Sequence, residues 1–176
     1  ETGLSRLPMT AKAAVFGAIA SDTGCFKYAN VTPSTHLRAA ALLAAGVDGA
    51  RVNRLLFDTK DRTQIRAEGL AQSRLRLFDG GRVAAIVIEN TDYTDGLAMS
   101  DFETAVDIAR SVRGVQIAIV IKGAPKAGVY RVSLRGNDNT PVSGIAAAFG
   151  GGGHLLAAGC TIEAASGDAA LQLLLD

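Results

Sequence analysis

Apolar and polar positions divide the chain into two halves of different grain. In the first half the apolar residues come in alanine-rich stretches of helical length. Residues 9–20 are nearly all apolar, which predicts a buried helix with Thr10 near its start and only Lys12 reaching water. Thr32 and Pro33 open a second helix, threonine as N-cap and proline in the first helical position. Its expected apolar face is Leu37, Ala40, Ala41, Ala44 and Ala45, and Gly46 ends it. His36, just past that start, reads as a surface residue without a role. A short helix is expected over 48–57, with Val52, Leu55 and Leu56 inward. Residues 60–78 are polar and basic with a sparse apolar stripe, the pattern of a long helix that bridges domains, and Asp79, Gly80 and Gly81 close it.

After residue 81 the pattern changes to strands. Val83 to Ile88 is apolar on both faces and predicts a strand in the middle of its sheet. Residues 90–99 read as loop, and Ser100-Asp101-Phe102-Glu103 as a capping box opening a helix to about Ser111. Strands are expected over 115–121 and 129–134, joined by a hairpin through 122–128. Thr140 and Pro141 start a further helix that runs into a glycine run, and a strand over 160–164 follows. Ser166 caps a last helix ending at Asp176. A helical half followed by a mixed half predicts an α/β chain of two domains.

Composition narrows the function. Eighteen basic and 17 acidic side chains leave a formal charge of +1, which argues against gripping long duplex DNA by counterion release. A local basic cleft for short nucleotides stays open. No apolar run approaches the length that spans a bilayer and no signal peptide is visible, so no membrane partner is expected. Cys25 and Cys160 lie far apart without metal or redox spacing, which favours a reducing, cytoplasmic location. The chain starts Glu1-Thr2-Gly3, without Met, and reads as the remnant of something longer.

The candidate chemistry gathers in the second half. Gly150, Gly151, Gly152 and Gly153 are four consecutive glycines, each of which costs backbone entropy and packs nothing. Lying between an apolar helix and a strand, they read as a bare, amide-rich loop ending in His154, suited to a phosphate. A flexible hinge is the alternative. Ser133 and Arg135 close the preceding strand, followed by Asn137, Asp138 and Asn139, so strand ends and a helix start meet at one rim. Arg135 is suited to a bidentate grip on phosphate, or else is a solvated strand-end arginine. In the first half Asp22 stands between an apolar helix and the aromatic pair Phe26 and Tyr28, as a turn residue or as a metal ligand or base. One such carboxylate and two histidines cannot assemble a metal cluster alone.

Two motifs carry a family resemblance. Gly150-Gly151-Gly152-Gly153-His154 followed by Ala157-Ala158-Gly159 resembles the glycine-histidine signature of the DHH-associated domain. Ser21-Asp22-Thr23-Gly24-Cys25-Phe26 resembles the fourth motif of the DHH domain of the same phosphoesterases. Their order and spacing extend the resemblance over nearly the whole chain. It implies residues 1–58 as the C-terminal part of a DHH catalytic domain, 59–80 as a connecting helix that lets the domains close, and 81–176 as the mixed α/β associated domain.

The resemblance also implies chemistry. DHH phosphoesterases are hydrolases using two Mn²⁺ or Mg²⁺ ions, and the smaller ones trim short single-stranded RNA or dephosphorylate nucleotide phosphates. Others cleave cyclic or linear dinucleotides. Asp22 matches the last metal-ligand aspartate. Arg135 matches a phosphate-gripping arginine, although Gly136-Asn137 follow it where relatives differ, and Gly151, Gly152, Gly153 and His154 match the substrate-binding signature facing the metals. A metal-bridging water would attack phosphorus while the metals and Arg135 stabilise developing charge. The earlier motifs would precede Glu1, so the chain alone is expected to be inactive. A homodimer is compatible with this picture. The rival reading is a nucleic-acid-binding module without catalysis.

Overall fold

The computed structural model describes residues 3–176, which form two units dividing after Lys60. The first consists of α1 (Met9–Asp22), α2 (Pro33–Ala44) and α3 (Gly49–Asn53), the last running into a π-helical turn over Arg54–Asp58. Thr32 caps α2 as expected: Thr35 N donates to Thr32 Oγ1 at 3.3 Å, and Thr32 N donates back to Thr35 Oγ1 at 3.1 Å. The core is Phe16, Ala39, Leu42 and Val47.

Three expectations about this unit are corrected. Helix α1 is not buried all round, since only Phe16 and Ala20 are buried. Three helices share one interior, and a helix bordering it buries one stripe whatever its composition. The inward face of α2 is Ala39 and Leu42, and Leu37 is 72% exposed. Leu55 and Leu56 are exposed as well, because the π turn shifts their phase away from Val52.

The second unit is built on a six-stranded sheet. Helix α4 (Arg62–Ser73), capped by Asp61, precedes β1 (Arg76–Phe78), β2 (Val83–Ile88) and α5 (Ala105–Arg110). Then come β3 (Ile117–Gly123), β4 (Val129–Gly136), α6 (Ser143–Ala148), β5 (Gly152–His154), β6 (Ala157–Glu163) and α7 (Gly167–Leu175). Strand order is β1-β2-β3-β4-β6-β5, with only the β2–β3 pair parallel. The mixed α/β fold class is as expected.

Strand β2 is central, as its two apolar faces require: Ala85 and Val87 enter one core, Ala84, Ile86 and Ile88 the other. Helices α6 and α7 cover the first core and α4 and α5 the second. The stretch 60–78 is not one helix. It is helical to Ser73, and the alternating Arg74-Leu75-Arg76-Leu77-Phe78 becomes β1, with Leu77 opposite Ala84. The expected capping box at Ser100 is also displaced: Ala98 N donates to Asp101 Oδ2 at 2.7 Å, a 3₁₀ turn spans Met99–Phe102, and α5 starts later. Thr140 caps no helix, because α6 begins at Ser143 after Val142.

A carboxylate locks α7 to the sheet. Glu89, just past β2, accepts from Gly167 N at 2.7 Å and from the Tyr130 hydroxyl at 2.9 Å. Nearby, the Tyr93 hydroxyl donates to Gly123 O at 2.9 Å. Burial, with Asp92 and Glu89 beside it, pushes the Tyr93 phenol from 10.0 up to about 12. A raised folded-state value means stability present below the unfolded value and lost as pH rises through the folded one. Thermal melts are therefore expected to lose midpoint between about pH 10 and about 12, and Tyr93→Phe to make that loss shallower. A variant falling as steeply as the parent would remove Tyr93 from the account.

Candidate functional site

The core beneath α4 and α5 reaches β3 and stops; no residue of β4, β5 or β6 belongs to it. On that same sheet face β4 presents Arg131, Ser133 and Arg135, while Tyr130, Val132 and Leu134 alternate into the opposite core. Register extends these residues into rows. Ala118, Arg135, Ala157 and His154 stand opposite one another across four strands. Val120, Ser133, Gly159 and Gly152 form the next row, and Lys122, Arg131 and Thr161 the one beyond. Arg135 and His154, expected from sequence to converge, thus share one row with only Ala157 between them.

The guanidinium of Arg135 donates to its own strand's Leu134 O at 3.0 Å. It forms no ion pair with a described residue and is available to an anion. A cleft of about 470 Å³ opens along this face, lined by Lys122, Arg131, Ser133, Gly150, Gly151 and Thr161 among others. Sequence reasoning missed Lys122, Arg131 and Thr161. The signal for Arg131 was the alternation of residues 130–135; Lys122 ends an apolar run, which hid it.

The glycine run is not the bare loop expected. Gly152–His154 is the edge strand β5, hydrogen-bonded to β6. The glycines are not equivalent. A Cβ on Gly151 would lie 2.2 Å from Gly159 O and 2.5 Å from Cys160 Cβ. Gly153 has a φ of +145°, and its Cβ would meet Ala157 O at 2.5 Å. Gly152 differs from both: nothing lies within 4 Å of the position its Cβ would take, and its φ is ordinary. Nothing in the fold requires glycine there, and the vacancy stands in the row of Ser133 and Gly159. Asn137, grouped with this rim from sequence, is structural: its Nδ2 donates to Arg110 O and Val115 O, both at 2.9 Å.

A model of the DHHA1 domain matches residues 80–176. The chain belongs to the DHHA1 domain family. Among its relatives is the bifunctional oligoribonuclease and PAP phosphatase NrnA of Thermus thermophilus, 31% identical over 92% of this chain and 48% of that protein. The A-adding tRNA nucleotidyltransferase of Aquifex aeolicus is 28% identical over 99% of this chain and 20% of its own length. The chain spans about half the length of the Thermus relative. A solved exopolyphosphatase-related protein from Bacteroides fragilis shares the fold, with a TM-score of 0.88 at 22% identity, over 99% of this chain and 52% of that one. The cleft, Arg135 and His154 all fall within the DHHA1 domain.

Asp22 lies outside the DHHA1 domain, in the first unit. It ends α1, and its Oδ2 accepts from Asn30 Nδ2 at 3.1 Å. A strained turn holds it there. Gly24, Cys25 and Phe26 all have left-handed φ, of 54°, 56° and 64°, which costs the two non-glycines about 1–3 kcal/mol each. Buried Thr23 steadies the turn, its hydroxyl donating to Ile19 O at 2.7 Å and accepting from Phe26 N at 3.1 Å. Asp22, Asn30, Thr35 and Arg38 line a cleft of about 310 Å³. Asn30 and Arg38 carried no sequence signal. His36 is exposed, as expected, and stacks on Phe26 at 5.2 Å between ring centroids. Among the described residues no three of His, Cys, Asp or Glu gather to hold a metal. Asp22 offers one exposed carboxylate, so these residues do not by themselves fit a two-metal centre. No helix among the described residues is long and apolar enough to cross a membrane.

Proposed function

We propose that this chain holds the substrate of a metal-dependent phosphoesterase that hydrolyses short oligoribonucleotides or nucleotide phosphates. One observation carries the reading: Arg135 and His154 share a row of the sheet beside the vacancy at Gly152. A guanidinium without an ion-pair partner suits a phosphate in a bidentate grip. The imidazole, two strands away, donates to a second oxygen or stacks on a base, and the bare flank of Gly152 lets the ligand lie against backbone. The Thermus relative, an oligoribonuclease and PAP phosphatase, supports the substrate class. Two unpaired thiols, Cys25 and Cys160, favour a reducing, cytoplasmic setting.

Because Asp22 is one ligand of the several that a pair of divalent ions needs, the role proposed for this chain is binding and orientation. Bond breaking requires further ligands. Where the remaining metal ligands are supplied, Asp22→Ala is expected to lower Mn²⁺-dependent turnover of a dinucleotide about a hundredfold or more, a ligand's share of metal-supplied charge stabilisation. Turnover equal to the parent's would end the metal role of Asp22.

The relative from Aquifex, a tRNA nucleotidyltransferase, supports a second reading in which this face binds RNA without cutting it. Titration of the chain with RNAs of increasing length separates the two. Affinity that levels off at a dinucleotide supports the enzyme, and affinity that keeps climbing with length supports the binding module. A cyclic dinucleotide that outcompetes linear ones would move the substrate class without moving the site.

A further inference from the structure

We propose that Lys122, Arg131 and Thr161 form a second anion subsite, so that the ligand of this face carries two phosphoryl groups, one at Arg135 and one at this trio. The inference rests on the reading of Arg135 as a phosphate ligand and adds to it a length requirement. Lys122 and Arg131 stand directly opposite each other on β3 and β4, and Thr161 stands opposite Arg131 on its other side. Neither cation makes an ion pair with a described residue. Two like charges in one rung of a sheet are unfavourable unless an anion joins them.

Around Lys122 burial is the largest influence, and Glu103 weighs more than Arg131. Burial holds the Lys122 ammonium below the usual lysine range, Glu103 opposes that shift, and Arg131 adds to it. A half-buried cation beside another cation gains most from a ligand that brings negative charge and excludes water. The hydroxyl of Thr161 and the backbone of Gly150 and Gly151 complete the lining.

Spacing decides the ligand. Arg131 and Arg135 lie four residues apart on β4, roughly 13 Å along the strand at the usual rise. Both side chains are long and unbranched, and turning toward Ser133 would bring their guanidinium groups within the span of a nucleoside with a phosphoryl group on each side. The row between them, Ser133, Gly159 and Gly152, carries almost no side chain and leaves the floor clear. A terminal phosphate and a diester phosphate share the chemistry that would satisfy the trio.

The test is calorimetric titration of the 176-residue chain with adenosine 3′,5′-bisphosphate, with the dinucleotide 5′-pApA and with adenosine 5′-monophosphate. The two-phosphate ligands are expected to bind about tenfold more tightly than the monophosphate, a charge-assisted contact's worth. Arg131→Met is expected to erase most of that preference while leaving the monophosphate within about twofold, since Arg131 is exposed and holds nothing in the fold. Lys122→Met should do the same. If it unfolds β3, the exposed pair Arg131→Met and Arg131→Lys still decides, with lysine restoring part of the preference. Loss confined to the bisphosphate, or to 5′-pApA, says whether the trio takes a terminal or a diester group. A preference unchanged in Arg131→Met overturns the subsite and leaves the Arg135 reading standing. Monophosphate binding indifferent to Arg135→Met overturns both.

Discussion

Gly151→Ala is expected to break the glycine edge of the sheet, and Gly152→Ala, one residue on, to spare the fold and damage the site. At Gly151 the added carbon lands on the carbonyl of Gly159 and on Cys160. The first obstacle is backbone, which cannot rotate aside, so β5 has to leave β6 or β6 has to bend. Overpacking of this kind costs about 1–3 kcal/mol or more, and a thermal melt should show it as a lowered midpoint. At Gly152 the carbon enters open space at an ordinary φ. There alanine should hold stability within about 0.5 kcal/mol, or raise it by restricting the unfolded chain. Its methyl would stand where the ligand lies, and nucleotide affinity should fall about tenfold, the scale of displacing one good contact. A Gly152→Ala chain that binds nucleotide like the parent would show that the vacancy is not the site.

The second large effect is expected at Arg135. Replacement by methionine keeps an unbranched, apolar stem and removes the guanidinium. Its one intramolecular hydrogen bond runs to the carbonyl of its own neighbour Leu134, so the melt should barely change. A charge-assisted bond to phosphate is worth about 1.5–3 kcal/mol, so affinity for every phosphate ligand should drop roughly ten- to a hundredfold or slightly more. The signature is a uniform loss with an unaltered fold. A loss that appears only together with a lowered melting midpoint would assign Arg135 to structure.

How far the sequence foretold this molecule depends on how much contrast each segment carries. Strand β2 was legible because six consecutive apolar residues have no place except between two cores. The caps at Thr32 and Ser166 were legible because a hydroxyl at a helix start satisfies a specific N–H. The inward face of α2 was misplaced because leucines at 37, 42 and 43 and alanines at 39, 40, 41 and 44 offer several apolar faces, of which the fold buries the one with Ala39 and Leu42. β1 was absorbed into a helix although the alternation of residues 74–78 pointed to a strand, since a polar, basic context outweighed a five-residue signal.

At the site the split is similar. The row joining Arg135 to His154 rested on a motif and emerged as geometry, because strand register places opposite residues on one face. The strand character of the glycines was invisible, since residues without side chains carry no periodicity to read. Only the folded surroundings separate Gly151 and Gly153, which the backbone demands, from Gly152, which it does not. Asn30 reached Asp22 across a strained turn that no local pattern announces.

The edge strand has a consequence for behaviour in concentrated solution. An open sheet border tends to recruit strands from neighbouring molecules, and proteins commonly guard such borders with charge, proline or bulges. β5 guards its border by having almost nothing to offer: three residues, two of them glycine, with the φ of +145° at Gly153 turning the strand off the regular path. A visiting strand would find too few aligned partners and a single side chain, His154, to interlock with. The bareness that leaves room for a ligand also makes this the least adhesive margin of the sheet. A β-branched residue at Gly152, the glycine of this strand with room for a side chain, would be expected to gain cohesion within the molecule while inviting adhesion between molecules.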